Sequence, residues 1–425
     1  MNIIFDGHSL QFIGGMERVI CDLSSAMAER GHNVFLFTKD SIETRPVFDL
    51  HPQINRRCYT HNGRQSHINQ FRQQILSCNP HVCVSFAGDR RHVPWCAALI
   101  GTGIPLIVSE QCSPEAVENI FWNREERLAV MAAADAIHIL NEPSVESIPL
   151  EFRSKTYVIP NAIDRQIHPS TIKKEDVIVA LGRLEKDKQY DLLIAAFILI
   201  AKEFPSWKLE IWGDGSQKSK LQRAITDSGM KDRIFLCGMT TTPEQCYARA
   251  SAVCHPSRHE GCPLVVLEGM AAGLPVIGFA QCPGVNSLVI DGKTGLLAPE
   301  MTPQSLSIAL RKILSDVDLR HNMGNEALKQ IQHYTKPAIY SKWENLLTLV
   351  SSKKYNTCIE SLVGSNNNTS FQEKKYIPHL HTLQSILSQK NLLAGNNDIV
   401  KTFIFQFPWL TNILRPIHRL YKAYR

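Results

Sequence analysis

The segment His259-Glu260-Gly261-Cys262-Pro263-Leu264-Val265-Val266-Leu267-Glu268 places two carboxylates eight positions apart around the start of an apolar helix. The free N–H groups of a helix's first turn form an anion site, and Pro263 suits that turn because it has no N–H to satisfy. Glu268 falls about one and a half turns into the helix, able to face the same pocket as Glu260. A carboxylate there can accept hydrogen bonds from a ribose diol. Alone, the pair could be two solvated acids on a capped helix, and it is the company they keep that argues for chemistry. In Leu181-Gly182-Arg183-Leu184-Glu185-Lys186-Asp187-Lys188, two cations stand five positions apart just after an apolar run. Arg183 can bridge phosphate oxygens bidentately while Lys188 supplies a point charge, although an isolated loop of this kind could be only a charged turn. Gly213-Asp214-Gly215 is a weaker glycine-bearing strand end. Gly14-Gly15 precedes a helix, so its backbone could approach a diphosphate with the positive helix end behind it. The plain alternative is a tight turn.

These residues need strands and helices to hold them. Asn2 to Phe5 reads as a strand, and Met16, Val19, Ile20, Leu23 and Met27 mark one face of a helix that Gly31 stops. Val34 to Phe37, Val82 to Phe86, Pro105 to Ser109 and Ala136 to Leu140 read as further strands. Short apolar runs alternating with amphipathic helices predict a parallel sheet covered on both faces. A polar stretch from Asp164 to Asp176 is the linker, and a second sheet starts at Val177. Its strands are Val177 to Leu181, Lys208 to Trp212, Ile234 to Leu236, Ala252 to His255 and Val276 to Phe279. The predicted class is α/β: two doubly wound, Rossmann-like domains over 1–165 and 176–335, a helix over 336–350, and a tail over 351–425. Strand C-termini are where open sheets of this class bind ligands, which is where Arg183, Lys188 and Glu260 fall.

Composition narrows the function. The chain has 425 residues, 44% hydrophobic and 20% charged, so most of it should fold. The formal charge is +6, but residues 351–425 hold ten Lys/Arg against three Asp/Glu, leaving the body near neutrality. That excludes a basic nucleic-acid-binding body, and no nucleic-acid partner is expected. Twelve cysteines with no C-x-x-C pair, many in apolar runs such as Val82-Cys83-Val84, point to buried reduced thiols. Met1 to Asp6 lacks the features of a signal peptide. The longest apolar run, Leu192 to Ala201, has ten residues where about 20 are needed to span a bilayer. A cytoplasmic protein without a transmembrane helix is expected. The only D-x-D, Asp316-Val317-Asp318, sits in a polar stretch read as one late helix, Leu310 to Met323, and is taken as surface charge rather than a metal site.

In order and spacing, Gly14-Gly15-Met16-Glu17-Arg18, Gly31-His32-Asn33-Val34, Ile159-Pro160-Asn161-Ala162-Ile163-Asp164, Gly182-Arg183-Leu184 with Lys188, and Glu260 with Glu268 resemble the retaining GT-B glycosyltransferases of family 4. The resemblance covers residues 1–350 and leaves out the tail. It implies two domains facing across a cleft, with a nucleotide sugar held mainly by the C-terminal one. By position, Arg183 and Lys188 would neutralise the leaving diphosphate, and Glu268 would bind ribose. Glu260 with the Gly261, Cys262, Pro263 and Leu264 backbone would contact donor sugar and phosphates, and Gly14 and Gly15 would meet the diphosphate from the opposite domain. The final helix would cross back to the first domain. The physical logic agrees: fixed cations and N–H donors stabilise a departing diphosphate, and losing one such donor costs about 3 kcal/mol. Two cations can replace a metal. Three departures stand out: Ala162 where the family has Gly, Gln189 where Gly or Asn is common, and Ser109-Glu110-Gln111-Cys112 where many relatives carry a His near the acceptor. Glu110 and His8 are the acceptor-side candidates for a base, although in this family the leaving phosphate is thought to take the acceptor's proton.

In the tail, Trp409, Ile413, Ile417, Leu420 and Tyr424 share one helical side while Arg415, Arg419 and Lys422 share another. Such a cationic amphipathic helix can lie on an anionic membrane, at about 1 kcal/mol per basic residue, or pack on the body. The membrane-contact residues would be Trp409, Ile413, Arg415, Arg419 and Lys422. The expected activity is transfer of a sugar from a nucleoside diphosphate, UDP before GDP, to a glycan or lipid-linked hydroxyl in bacterial surface polysaccharide or lipopolysaccharide synthesis. No cofactor or metal is expected, and peripheral association with an anionic membrane is one of the two readings of the tail. The alternatives are a silent nucleotide-binding module that recruits a partner, and an epimerase or phosphorylase on the same fold.

Overall fold

A computed structural model describes residues 1–59, 65–88, 91–118, 124–164 and 174–352. The tail reading, with Trp409, Ile413, Arg415, Arg419 and Lys422, falls outside the described residues. The first unit is a seven-stranded sheet in the order β3-β2-β1-β4-β5-β6-β7. Its strands are β1 (Asn2–His8), β2 (Asn33–Thr38), β3 (Asn55–Cys58), β4 (Val82–Ala87), β5 (Leu106–Glu110), β6 (Ala136–Ile139) and β7 (Thr156–Val158). Between them run α1 (Gly15–Glu29), α2 (Gln65–Leu76), α3 (His92–Leu99), α4 (Pro114–Ala116), α5 (Arg124–Ala133) and α6 (Leu150–Arg153).

The second unit is a six-stranded sheet, β10-β9-β8-β11-β12-β13. It comprises β8 (Val177–Leu181), β9 (Lys208–Trp212), β10 (Ile234–Gly238), β11 (Ala252–His255), β12 (Val276–Phe279) and β13 (Gly295–Ala298). Its helices are α7 (Tyr190–Ile200), α8 (Lys218–Asp227), α9 (Pro243–Arg249), α10 (Leu264–Ala271), α11 (Pro283–Asn286), α12 (Pro303–Ser315) and α13 (Val317–Gln330), followed by α14 (Lys336–Ser352). All pairings between these strands are parallel.

Because parallel sheets are covered on both faces, their strands are apolar at successive positions. In β1, Ile4 joins the core beneath α2, α3 and α5, while Ile3 and Phe5 join the core beneath α1 and α14. In β8, Ile178 and Ala180 face α7 and α12, and Val177, Val179 and Leu181 face α10. The last helix, α14, lies on the first unit: Trp343, Leu346, Leu347 and Val350 share its core, with Trp343 against Phe86 at 5.7 Å between ring centroids. Each such side chain contributes about 1.5–3 kcal/mol on burial. Arg30 and His32 bind Glu344 at 2.6 and 2.9 Å and fix its register. The two chain crossings between the units lie side by side, with Ile163 N–H donating to Tyr334 O and Lys336 N–H to Ile163 O.

Two sequence expectations are corrected. The stretch read as one helix from Leu310 to Met323 is two, α12 and α13, because Asp316 leaves helical geometry (φ −126°, ψ 104°) and caps the Leu319 N–H. Pro263 is the N-cap of α10, with ψ 121°, rather than its first helical residue.

Candidate active site

Each sheet reverses its strand order once, between β1 and β4 and between β8 and β11. The loops leaving the carboxyl ends of such strands open a crevice. In the second unit, Gly182 (φ +146°) and Gly213 (φ +148°) end β8 and β9 in a conformation L side chains rarely adopt, and a Cβ on Gly213 would lie 1.9 Å from the Gly182 carbonyl oxygen. The tight packing turns the chain so that Arg183 is exposed. Lys188 closes a short 3₁₀ turn, Lys186–Lys188, and its Nζ lies 2.6 Å from Glu260 Oε1 and 3.6 Å from Asp187 Oδ2. His255, the last residue of β11, donates from Nε2 to the same Glu260 oxygen at 2.8 Å. Burial alone would raise the Glu260 pKa, but Lys188 and His255 outweigh it and hold the carboxyl well below the usual range. Burial likewise opposes the Lys188 charge, and Glu260 and Asp187 restore it. Glu260 is therefore a fixed ionised acceptor. Lys188, with three ammonium hydrogens on a flexible stem, can turn toward an incoming anion.

In α10, Val266 and Leu267 N–H return to Pro263 O at 3.1 and 3.3 Å, which leaves the Leu264 and Val265 N–H groups with no intrahelical carbonyl. Glu268, 5% exposed, accepts from Tyr247 OH at 2.8 Å and from Arg18 Nη1 at 2.6 Å. Burial raises its pKa against the pull of Arg18 and Tyr247. The carboxylate assigned by sequence to a ribose diol is thus engaged by an arginine from the opposite unit.

That opposite unit presents the start of α1. A Cβ on Gly15 would lie 3.7 Å from Leu264 Cδ1, so the N-termini of α1 and α10 face each other. The Glu17 carboxylate folds back over Gly14, where an added Cβ would meet Oε2 at 2.1 Å. Burial raises the Glu17 pKa, and Arg91 and, from across the crevice, Arg183 oppose this. Two asparagines tie the units together: Asn141 Nδ2 donates to Gly261 O at 2.7 Å and Asn161 Nδ2 to Cys262 O at 2.8 Å. A cavity of about 10 Å³ lined by Arg18, Gln111, His138, Asn161, Leu264 and Trp343 has room for about one water.

The structure thus brings Gly14, Gly15, Arg183, Lys188, Glu260, Gly261, Cys262, Pro263, Leu264 and Glu268 to one crevice. Glu110 is placed differently. Arg127 grips both its oxygens, Nε at 2.8 Å and Nη2 at 2.7 Å, and the two side chains are 3% and 1% exposed. This pair joins β5 to α5 and keeps the Glu110 carboxylate buried against Arg127. His8 ends β1 with a left-handed backbone, φ +47°, and gives its N–H to Asp6 Oδ1 at 3.1 Å. His138, which sequence reading passed over, pairs with Ser109 across β5 and β6. Its Nδ1 accepts from Ser109 Oγ at 2.7 Å and its Nε2 donates to Ile159 O at 2.7 Å. Burial brings its pKa down to about 4, so it is a neutral structural residue against Trp343. Sequence reading also assigned no role to Arg18, Tyr247, His255, Asn141 or Asn161. Arg18 and Asn161 carried a signal, each standing inside a motif that carries the resemblance. Among the described residues no cluster of His, Cys, Asp or Glu side chains forms a metal site, and no helix is long and apolar enough to cross a membrane.

Comparison with known proteins agrees with this architecture. Residues 13–167 match the family model described as Glycosyltransferase Family 4, and residues 163–330 that of Glycosyl transferases group 1. The poly(ribitol-phosphate) alpha-N-acetylglucosaminyltransferase of Staphylococcus aureus is 28% identical over 225 residues, 53% of this chain and 44% of that one. The amylovoran biosynthesis glycosyltransferase AmsD of Erwinia amylovora is 22% identical over 354 residues, 81% of this chain and 98% of that one. Of the first curated relatives it matches, the chain spans only 24–44% of their length. In fold it is similar to HepE of Anabaena, crystallised with UDP-glucose, with a TM-score of 0.69 and 19% identity over 82% of this chain and all of that one. By these matches residues 13–330 are similar to glycosyltransferases, and the two facing parallel sheets give the chain the GT-B fold.

Proposed function

We propose that the protein transfers a sugar from a nucleoside diphosphate, UDP in preference to GDP, to a hydroxyl of a glycan or lipid-linked acceptor in bacterial surface polysaccharide synthesis. The observation that carries this reading is the convergence of an exposed Arg183, the Lys188–Glu260–His255 cluster and the α10 N-terminus at the β8/β11 reversal. In this reading Arg183, Lys188 and the Leu264 and Val265 N–H groups receive the charge that develops on the diphosphate as its bond to the anomeric carbon breaks. Losing one such donor costs about 3 kcal/mol of barrier lowering. Glu268 accepts the ribose diol once Arg18 yields an oxygen, and Glu260 accepts a sugar hydroxyl.

With Glu110 committed to Arg127, the departing phosphate oxygen takes the acceptor's proton. The acceptor oxygen bonds to the anomeric carbon on the face the diphosphate leaves, so configuration is retained. The fixed cations do this without a metal ion. AmsD, named for amylovoran biosynthesis, and HepE, crystallised with UDP-glucose, support the polymer class and the donor nucleotide. The test is nucleotide release from a panel of UDP- and GDP-sugars, with saccharide or polyprenyl-phosphate-linked acceptors, in EDTA and in magnesium, with the anomer assigned by NMR. A product of unchanged anomeric configuration formed in EDTA is expected. An inverted product, a magnesium requirement, or neither binding nor release with any nucleotide sugar would overturn the corresponding part.

A further inference from the structure

So far His255 is only a donor to Glu260 beside Lys188, and its surroundings give it a further role. It ends a central strand, flanked by β8 and β12 and paired with Gly278, so its backbone is fixed. It is 3% exposed. Its Nε2 lies 2.8 Å from Glu260 Oε1, the oxygen that also accepts from Lys188 at 2.6 Å. Among the described residues nothing bonds to Glu260 Oε2. On its other side the Glu260 backbone is closed by Gly284, where a Cβ would fall 2.5 Å from the Glu260 carbonyl oxygen.

The second ring nitrogen, Nδ1, is buried with no hydrogen-bond partner. A buried unpaired polar atom costs free energy and calls for an explanation. A residue chosen only to fill this space would carry no such nitrogen. What the imidazole supplies is the Nε2–H aimed at Glu260.

Lys188 already neutralises Glu260, so a second donor to the same oxygen needs a reason. Lys188 is a point charge on a flexible stem, and a diphosphate entering beside Arg183 draws it away from the carboxylate. His255 cannot follow, because it sits on a strand. We propose that His255 is a positioning residue for donor-sugar recognition: it holds Glu260 by Oε1 while Lys188 turns to the diphosphate, leaving Oε2 for a hydroxyl of the sugar. This rests on the reading that Glu260 contacts the donor sugar.

The test uses the full-length protein, with calorimetric Kd values for UDP and for the UDP-sugar, drawn from UDP-glucose, UDP-galactose and UDP-GlcNAc, that binds it tightest. Donor hydrolysis is measured alongside. His255→Phe should leave the UDP Kd within about twofold while removing the sugar's added affinity and slowing hydrolysis about 10- to 100-fold, the worth of one hydrogen bond to a charged group. His255→Gln, whose amide nitrogen replaces Nε2, should keep most of both. His255→Asn, too short to reach Oε1, should behave like Phe and serves if the Phe variant fails to fold. Full sugar preference and hydrolysis in His255→Phe, or equal losses in the Gln and Asn variants, would overturn the proposal. Glu260→Gln separates the two ideas: if it changes neither sugar preference nor turnover, the assignment of Glu260 to the sugar fails, whatever His255 does.

Discussion

Replacing Asp6 by asparagine should make the protein more stable at neutral pH and no more stable in acid. Asp6 is fully buried in β1. It accepts from His8 N–H and Tyr59 OH at 3.1 Å each and from Ser85 Oγ at 3.5 Å, with Trp95 and Arg91 also facing it. Burial outweighs these partners and lifts its pKa from 3.8 to about 6. Below pH 3.8 both folded and unfolded forms are protonated and the group contributes nothing. Between 3.8 and 6 the unfolded chain releases its proton first, so stability falls as pH rises. Above 6 the full difference remains, about 3 kcal/mol against folding. The amide in the Asp6→Asn variant would keep an oxygen for His8 and Tyr59 but cannot ionise. Urea unfolding followed by circular dichroism at about pH 4 and about pH 7.5 should therefore give equal stability for the two proteins in acid and an advantage of up to about 3 kcal/mol for Asp6→Asn at the higher pH. An equal loss at both pH values would refute the argument, because it would mean that Asp6 works as a carboxylate paired with Arg91.

Other expectations follow from the crevice. Glu17→Gln removes an anion that faces Arg183 where the proposed diphosphate would sit, and should tighten UDP binding roughly 3- to 10-fold, the scale of one partly screened charge pair; weaker binding in a calorimetric titration would contradict this. Glu268→Ala should raise the Kd for UDP, whereas Arg183→Ala and Lys188→Ala should mainly lower turnover, about 100- to 1,000-fold, and unchanged turnover in both cation variants would remove their leaving-group role. Deleting 403–425 should preserve hydrolysis of a soluble donor and reduce sedimentation with anionic liposomes; a truncated protein that unfolds would favour packing of that segment on the body.

The interior strands read directly from sequence, and so does one edge strand, Ile234–Gly238, over Ile234 to Leu236. Val177–Leu181, Lys208–Trp212, Ala252–His255 and Val276–Phe279 have the bounds the sequence predicts, because a strand covered on both faces and flanked on both sides is rich in apolar residues even where, as with Lys208 and Glu210, polar ones intervene. The three strands that sequence reading missed, Asn55–Cys58, Thr156–Val158 and Gly295–Ala298, are all sheet edges. An edge strand has one neighbour, is short and tolerates polar residues, so Asn55-Arg56-Arg57-Cys58 carries no hydrophobic signal. The site divides in the same way. Its contiguous motifs were legible, but Arg18 meets Glu268 across 250 positions, Asn141 meets Gly261 across 120 and Asn161 meets Cys262 across 101. No local periodicity encodes such a meeting.

The departures from the family pattern have different physical weights, which only the backbone reveals. Ala162 stands where glycine is usual, yet it is not among the residues with positive φ, so its methyl group strains nothing. The work of that turn is done by its neighbours: Asn161 holds the Cys262 carbonyl, and Ile163 pairs with Thr335 beside the second crossing of the chain. Gln189 is the opposite case. It has φ +51° between the Lys188 turn and α7, a left-handed conformation that costs a residue with a side chain about 1–2 kcal/mol relative to glycine. Its side-chain oxygen is buried without a partner, which adds to the cost. A chain that keeps such a residue immediately after Lys188 holds strain where the cation meets Glu260, and His8 repeats the pattern on the facing unit with φ +47° beside the Gly14-Gly15 loop. Backbone strain of this kind persists where the surroundings over-determine it and clusters at functional sites. Of the three non-glycine residues with positive φ among the described residues, His8 ends β1 and Gln189 precedes α7 beside Lys188, while Asn79 lies between α2 and β4.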